Sequence, residues 1–369
     1  RVSARPLRIV VIAPLRFPIR RPHAGGLESA VWAEVDALRR RGHEVTFIAP
    51  EGSDFLSDAS VFRLPPVVWP EGARPTDKTW PESYHRESAP ALGRALDRIA
   101  AHPERHDVIS NHCLDALPLQ RASQLGVPMV TTLHTPVDAL AVAAHAAADG
   151  GGSQFLSVSM HTKTQWDAAG VPSTLLPNGV DPRAWPLGSG GDDLVWFGRI
   201  VPEKAPHVAV EVARRLGRRL VIAGRIGDEE YAREVVFPRL GGGVEYAGEL
   251  APAPLADLVG RSGLALATPA WAEPFGLVGP EALMCGTPVV GFAVGGVPEI
   301  AAATMGMQLV AAGDVDAMTE RAAAMLPSGR DAAFRAVVRE TAERRFSLDL
   351  RIDALEASFA RLLATESAA

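Results

Sequence analysis

The 369-residue sequence predicts two doubly wound, Rossmann-like α/β domains, each on its own parallel sheet. Three observations carry this. Short, continuously apolar runs recur along the chain, and such runs belong to strands covered on both faces. Amphipathic stretches of helical period separate them, the alternation that builds parallel sheets. The alternation breaks once, in a segment rich in Pro, Gly and Ser, and then restarts; the length also exceeds what one hydrophobic core usually serves.

The first run is 7–13 (LRIVVIA). A helix follows over 27–41, where Leu27, Ala30, Val31, Val35 and Leu38 share a face and Gly42 sits at the stop. Further strands are expected at 45–49, 107–110, 127–133 and 155–159. The break comes after 175–181 (LLPNGVD) and lasts to Gly191, as in an interdomain linker. Strands then resume at 193–197, 219–223, 244–246, 264–267 and 288–291, and an amphipathic stretch at 348–363 has no strand after it. The expected division is an N-terminal domain at 1–178, a linker at 179–191 and a C-terminal domain at 192–346. A terminal helix at 347–369 is free to pack back on the first domain. Ligands of such sheets sit at the carboxyl ends of the strands, so function is sought in the loops there.

Composition narrows the class. Hydrophobic residues make up 47% and charged residues 22%, the balance of a folded globular protein. No apolar run approaches the roughly 20 residues of a membrane span, and the N-terminus leads straight into a strand, so a cytoplasmic protein is expected. A net charge of -6 argues against nucleic acid as the main partner. Cys113 and Cys285 are too few for a disulfide framework and are expected to be reduced. Arg16, Arg20, Arg21 and His23 form the one basic cluster worth noting; it leaves peripheral membrane contact or an anionic acceptor open, although clustered arginines are usually only solvated.

The most informative string is 271–283 (WAEPFGLVGPEAL), directly after a strand. Pro280 suits a first helical turn, which puts Glu281 just inside a helix and Glu273 in the loop before it. Gly276 lets the backbone approach a ligand, and N–H groups at the helix start can hold its oxygens. Carboxylates accept hydrogen bonds from hydroxyls, so such a pair can hold a ribose diol and a sugar. The bland alternative is a surface loop with helix-start acids. Arg199 and Lys204, five apart after another strand, are a candidate clamp for charge gathering on a departing diphosphate; alone they would pass as surface.

Gly198-Arg199 followed by Glu203-Lys204, then Glu273-Pro-Phe-Gly-Leu-Val, Glu281-Ala-Leu, Cys285-Gly-Thr-Pro-Val-Val and Gly295-Gly-Val-Pro-Glu299, resembles the retaining GT-B glycosyltransferases of family 4. The likeness covers nearly all of the second domain, in order. It implies two domains facing a cleft, and transfer of a hexose-type sugar from a nucleotide-sugar donor to an acceptor hydroxyl. A UDP-sugar is favoured and a GDP-sugar is the alternative; the acceptor is an unidentified small molecule, lipid or glycan. It further implies that Arg199 and Lys204 bind the diphosphate and Glu281 the ribose. Glu273 and the Phe275-Gly276-Leu277 backbone would then bind the donor sugar. Arg225 departs from the pattern, since many relatives carry a small residue there.

In the first domain, Gly25 and Gly26 precede a helix whose N–H groups could face a phosphate. A plain helix entry is the alternative, and the resemblance favours the donor side. His134, at the end of the strand at 127–133, is by the same resemblance placed beside the donor sugar, though a lone His is more often structural. The stretch 54–88, with Trp69, Trp80, Tyr84 and His85, is either an acceptor-side lid or a packed excursion. No ligand set for a metal is evident, Asp192-Asp193 included, so no catalytic metal and no cofactor are expected. Two rivals stay open: a nucleotide-sugar epimerase of the same architecture, and a non-catalytic nucleotide-sugar binder.

Overall fold

Apolar strands need neighbours on both faces, and the computed structural model, which describes residues 5–70, 80–148 and 152–366, pairs them in two all-parallel sheets. The first holds β1 (Arg8–Ile12), β2 (Glu44–Pro50), β3 (Arg63–Leu64), β4 (Val108–Asn111), β5 (Met129–Leu133), β6 (Gln154–Ser157) and β7 (Thr174–Leu175), in the order β3-β2-β1-β4-β5-β6-β7. The second holds β8 (Leu194–Phe197), β9 (Leu220–Ala223), β10 (Val244–Tyr246), β11 (Leu264–Ala267), β12 (Val289–Phe292) and β13 (Met307–Val310), in the order β10-β9-β8-β11-β12-β13. In each sheet the chain winds outward in one direction, returns to the middle and winds the other way. The reversal lies between β1 and β4 in the first sheet and between β8 and β11 in the second, and a crevice for ligands opens at such a point.

The chain passes from the first compact unit to the second between Pro177 and Asn178 and returns between Ser347 and Leu348. Residues 179–191, expected as a linker, belong to the second unit and are bonded to it. The Gly188 N–H donates to Cys285 O (3.0 Å) and the Gly190 N–H to Gly260 O (2.9 Å). A Cβ on Gly188 would lie 2.1 Å from Gly260 O, so the glycines that suggest flexibility here serve close packing. Arg335, 1% exposed, locks the strap by donating to Gly260 O (2.6 Å), Cys285 O (3.0 Å) and Gly188 O (3.3 Å).

Strands β3, β7 and β13 were not anticipated. Two are only two residues long, and β13 alternates at a sheet edge, so none presents a continuous apolar run. The terminal helix, Leu348–Glu366, packs in the first unit. Its Leu348, Ile352, Leu355, Phe359 and Leu362 form one stripe, buried with Val31, Val35 and Leu38 of the helix Gly26–Arg40. Both cysteines are buried free thiols, which burial pushes up to about 12. Asp192 and Asp193 pair with Arg330 and Arg219. Of the stretch 54–88, residues 71–79 lie outside the described residues; beyond them Trp80 stacks on Tyr84 (3.9 Å), with the Arg16 guanidinium 4.0 Å from the Trp80 ring.

Candidate active site

In the second unit the predicted residues gather where β8 and β11 end side by side. β8 runs into Gly198-Arg199, and a Cβ on Gly224, after β9, would lie 1.7 Å from Gly198 O. These two loops touch only because that position carries no side chain. Arg199 is partly buried there. Next comes a single 3-10 turn, Pro202–Lys204, then Ala205 at φ 46°, then the helix Pro206–Leu216. A left-handed alanine costs about 1–2 kcal/mol, and its place before Pro206 disfavours it further.

Hydrogen bonds hold that strained turn. Trp196 Nε1–H donates to Thr268 Oγ1 (2.9 Å), and Thr268 Oγ1–H donates to the carbonyls of Lys204 (2.9 Å) and Ala205 (3.0 Å). The Ala270 N–H donates to Glu203 O (2.8 Å). Lys204 is thus fixed from both central strands. Its ammonium forms an ion pair with Glu273, whose side chain is 8% exposed against 21% for Lys204. The Glu273 main chain is pinned in turn by the Gly296 N–H (2.8 Å), and Gly295, at φ 57°, passes so close that a Cβ would fall 2.0 Å from Glu273 O.

The remaining second-unit residues take distinct positions. The Phe275 side chain is buried edge-on against Phe346 (5.8 Å), so a ligand would meet it only through its backbone. Gly276 has φ 94°, and Leu277 precedes the short helix Val278–Met284. Glu281, in that helix, is not the partner of Lys204. Burial pushes its carboxyl up to about 8, with the Lys204 charge pulling the other way. Arg225 uses its main chain to accept from the Ile200 N–H (2.8 Å).

In the first unit, Gly25 caps the helix Gly26–Arg40, and the Ser29 N–H donates to its carbonyl (3.0 Å). His134 follows β5, and its Nε2 lies 2.9 Å from Nδ1 of His112, which follows β4. His112 Nε2 in turn lies 2.8 Å from Glu34 Oε1, and both side chains are 1% exposed. Ser110 Oγ–H donates to the same carboxylate oxygen (2.8 Å), and Arg351 Nη2 donates to Glu34 Oε2 (3.3 Å). Burial would raise the Glu34 pKa, but His112, Arg351 and Ser110 hold it well below the usual carboxylate range. For His134, burial first, then His112 and Arg351, push its pKa well below that of free imidazole, so this ring is neutral at neutral pH. Sequence reasoning found His134 but missed His112, Glu34, Ser110 and Arg351.

Among the described residues no three His, Cys, Asp or Glu side chains form a group that could hold a metal ion. Two family profiles match the chain, "Glycosyltransferase Family 4" over residues 24–184 and "Glycosyl transferases group 1" over 191–328. The D-inositol 3-phosphate glycosyltransferase of Gordonia bronchialis is 28% identical, across 97% of this chain and 89% of its own length. Among solved structures, sucrose-phosphate synthase of Thermosynechococcus elongatus is similar with a TM-score of 0.77 at 19% identity, covering 97% of this chain and 100% of that one. HepE of Anabaena in complex with UDP-glucose is similar with a TM-score of 0.69 at 18% identity, covering 96% and 100%. The fold these proteins share with the chain is GT-B.

Proposed function

Because this chain belongs to the glycosyltransferases of family 4 and group 1, we propose that it moves a hexose from a UDP-sugar onto an acceptor hydroxyl with retention at the anomeric carbon. The observation that supports this most is the Lys204–Glu273 pair at the reversal point of the second sheet, with Arg199 on the same loop as Lys204. A diphosphate arriving there competes for the Lys204 ammonium. Glu273 is then released to accept hydrogen bonds from sugar hydroxyls, together with the backbone at 275–277. Arg199 and Lys204 neutralise the charge that gathers on the departing oxygen, and Glu281 receives the ribose. His134 meets the donor sugar, and the N–H groups of Gly25 and Gly26 meet phosphate oxygen.

The acceptor oxygen bonds to the anomeric carbon on the face from which the diphosphate leaves. The bond from that carbon to the β-phosphate oxygen breaks, and the acceptor proton passes to that departing oxygen. Cationic side chains do the charge stabilisation, so no metal is required. The relatives' name points to a phosphorylated polyol as the first acceptor to try. Arg20 and Arg21 are exposed on the loop after β1 and suit such an anion.

Incubation with UDP-, GDP- and dTDP-hexoses and inositol phosphate, followed by proton NMR of the product, tests the reading. A glycoside with the donor's anomeric configuration, formed equally well in excess chelator, is expected. An inverted product, an epimerised donor without acceptor, or a magnesium-restorable loss of rate would each contradict it.

A further inference from the structure

The loop after β1, residues 13–25, holds neither strand nor helix and ends at Gly25, where the helix Gly26–Arg40 begins without a side-chain cap among the described residues. Its course is fixed by its neighbours. Ile19, fully buried, is gripped through its main chain by the loop after β2: its N–H donates to Ser53 Oγ (2.8 Å) and its carbonyl accepts from the Asp54 N–H (2.9 Å). The Asp54 carboxylate then accepts from Trp32 Nε1–H (2.9 Å), on the helix. From Trp32 the circuit returns to the loop, with the Arg21 guanidinium 3.7 Å from the ring centroid and the His23 ring centred 5.7 Å away.

Helix geometry explains why the circuit closes on position 32. At 3.6 residues per turn, a residue seven positions on lies below the first, so Trp32 stands two turns beneath Gly25 on the same side. The loop must fold back along the helix for Arg21 and His23 to reach it. A tryptophan serves these partners together, since it offers its faces to a cation or a ring and its N–H to a carboxylate. Phe55 packs on the same ring (5.2 Å) from a left-handed backbone at φ 61°. Side chains other than glycine seldom adopt that conformation, and it persists only where neighbours enforce it, most often at functional loops.

We propose that Trp32 is a positioning residue: by holding Arg21, His23 and Asp54 it sets the end of the loop, so that the Gly26 N–H is in place for phosphate oxygen as charge gathers there. This rests on the reading, given above, that the N–H groups of Gly25 and Gly26 meet phosphate. An amide assists only if it is already in place when the bond breaks, and a misplacement of about 1 Å costs about 100-fold. Trp32 itself touches no substrate. Its loss therefore shows in kcat rather than in the affinity for UDP, which on the same reading is held chiefly through Lys204 in the second unit.

Steady-state transfer and UDP titration of the full-length chain test this with Trp32→Leu, Gly26→Pro and the double variant. Proline is accepted at a first helical position, and Gly25, extended at φ -169° and ψ -176°, suits the residue before it, so Gly26→Pro removes one N–H and leaves the helix intact. Each single variant should lower kcat about tenfold to a hundredfold, with UDP affinity changed by less than about twofold. In the Gly26→Pro background, Trp32→Leu should cost less than about a further twofold, because the amide it positions is gone. Asp54→Asn, which keeps an oxygen for the indole N–H, should retain about half the wild-type kcat or more, and Asp54→Ala should not. Additive losses in the double variant, or wild-type kcat in a folded Trp32→Leu, overturn the proposal. If Trp32→Leu does not fold, the Asp54 pair carries the test, and equal kcat in both is the contrary result. If Gly26→Pro keeps wild-type kcat, the phosphate reading of the helix start fails and the proposal with it. If Gly26→Pro is impaired and Trp32→Leu is not, only the positioning role is wrong.

Discussion

The two reversal points of this molecule are built from the same topology and opposite electrostatics. At β8 and β11 a partly exposed lysine is held by one carboxylate and by backbone strained into place. At β1 and β4 a buried carboxylate is held by an arginine and contacts one imidazole, which contacts a second. The first arrangement leaves a cation that a diphosphate can claim. The second ends in an imidazole, His134, whose pKa burial holds well below that of the free ring. The same reversal point thus carries either a charge open to a ligand or a charge shut inside the unit, depending on how deep the ion pair sits.

Removing each pair should reveal this difference. The largest effect is expected from Arg351→Met, which strands Glu34 inside the first unit. Losing one partner of a buried pair costs about 3–5 kcal/mol, so urea unfolding should show a loss of that size. A loss below about 1 kcal/mol, typical of surface pairs, would erase the contrast. Lys204→Ala leaves Glu273 without its ion-pair partner, but beside a site more open to solvent, so its loss of stability should be smaller than that of Arg351→Met, while turnover falls about 100- to 1,000-fold, read by initial rates beside urea unfolding.

A pH series separates the two units further. Glu281 holds its proton up to about pH 8 in the folded chain, well above an unfolded glutamate. Its contribution to stability is therefore complete below about pH 4.5. It is lost as pH rises through about 8. Glu281→Gln keeps the shape and removes the titration, so its melting temperature should decline less than the wild type's between pH 5 and 9. Identical slopes would mean that the Glu281 site is better solvated than the structure shows. The smallest effect concerns Ala205. Ala205→Gly should relieve the left-handed strain and raise stability by about 1 kcal/mol, seen as a higher melting point. A lower one would mean that the alanine methyl packs in a way that outweighs its backbone.

The contrast also explains what the sequence could reveal. β8, β9 and β11 were readable because each is an unbroken apolar run, and Lys204, Glu273 and Glu281 because they follow strands at recognisable spacing. β3 and β7 were not, since two residues at a sheet edge carry no period. The strap at 179–191 misled because Gly and Pro mark both freedom and close approach, and only the neighbours at Gly260 and Cys285 distinguish them. Glu34 and Arg351 did leave a trace. Each falls on an apolar stripe, at 31, 34, 35, 38 and at 348, 351, 352, 355, where a charge of one sign on one helix implies a partner on another. His112 left none, because a histidine after a strand says nothing of the carboxylate behind it.

The account depends on the Lys204 ammonium exchanging Glu273 for a diphosphate. Calorimetric titration of UDP and of uridine into wild type and Lys204→Ala tests this most directly. The account predicts that the variant loses most of its affinity for UDP and none for uridine. Equal losses for both ligands, or none for either, would contradict it.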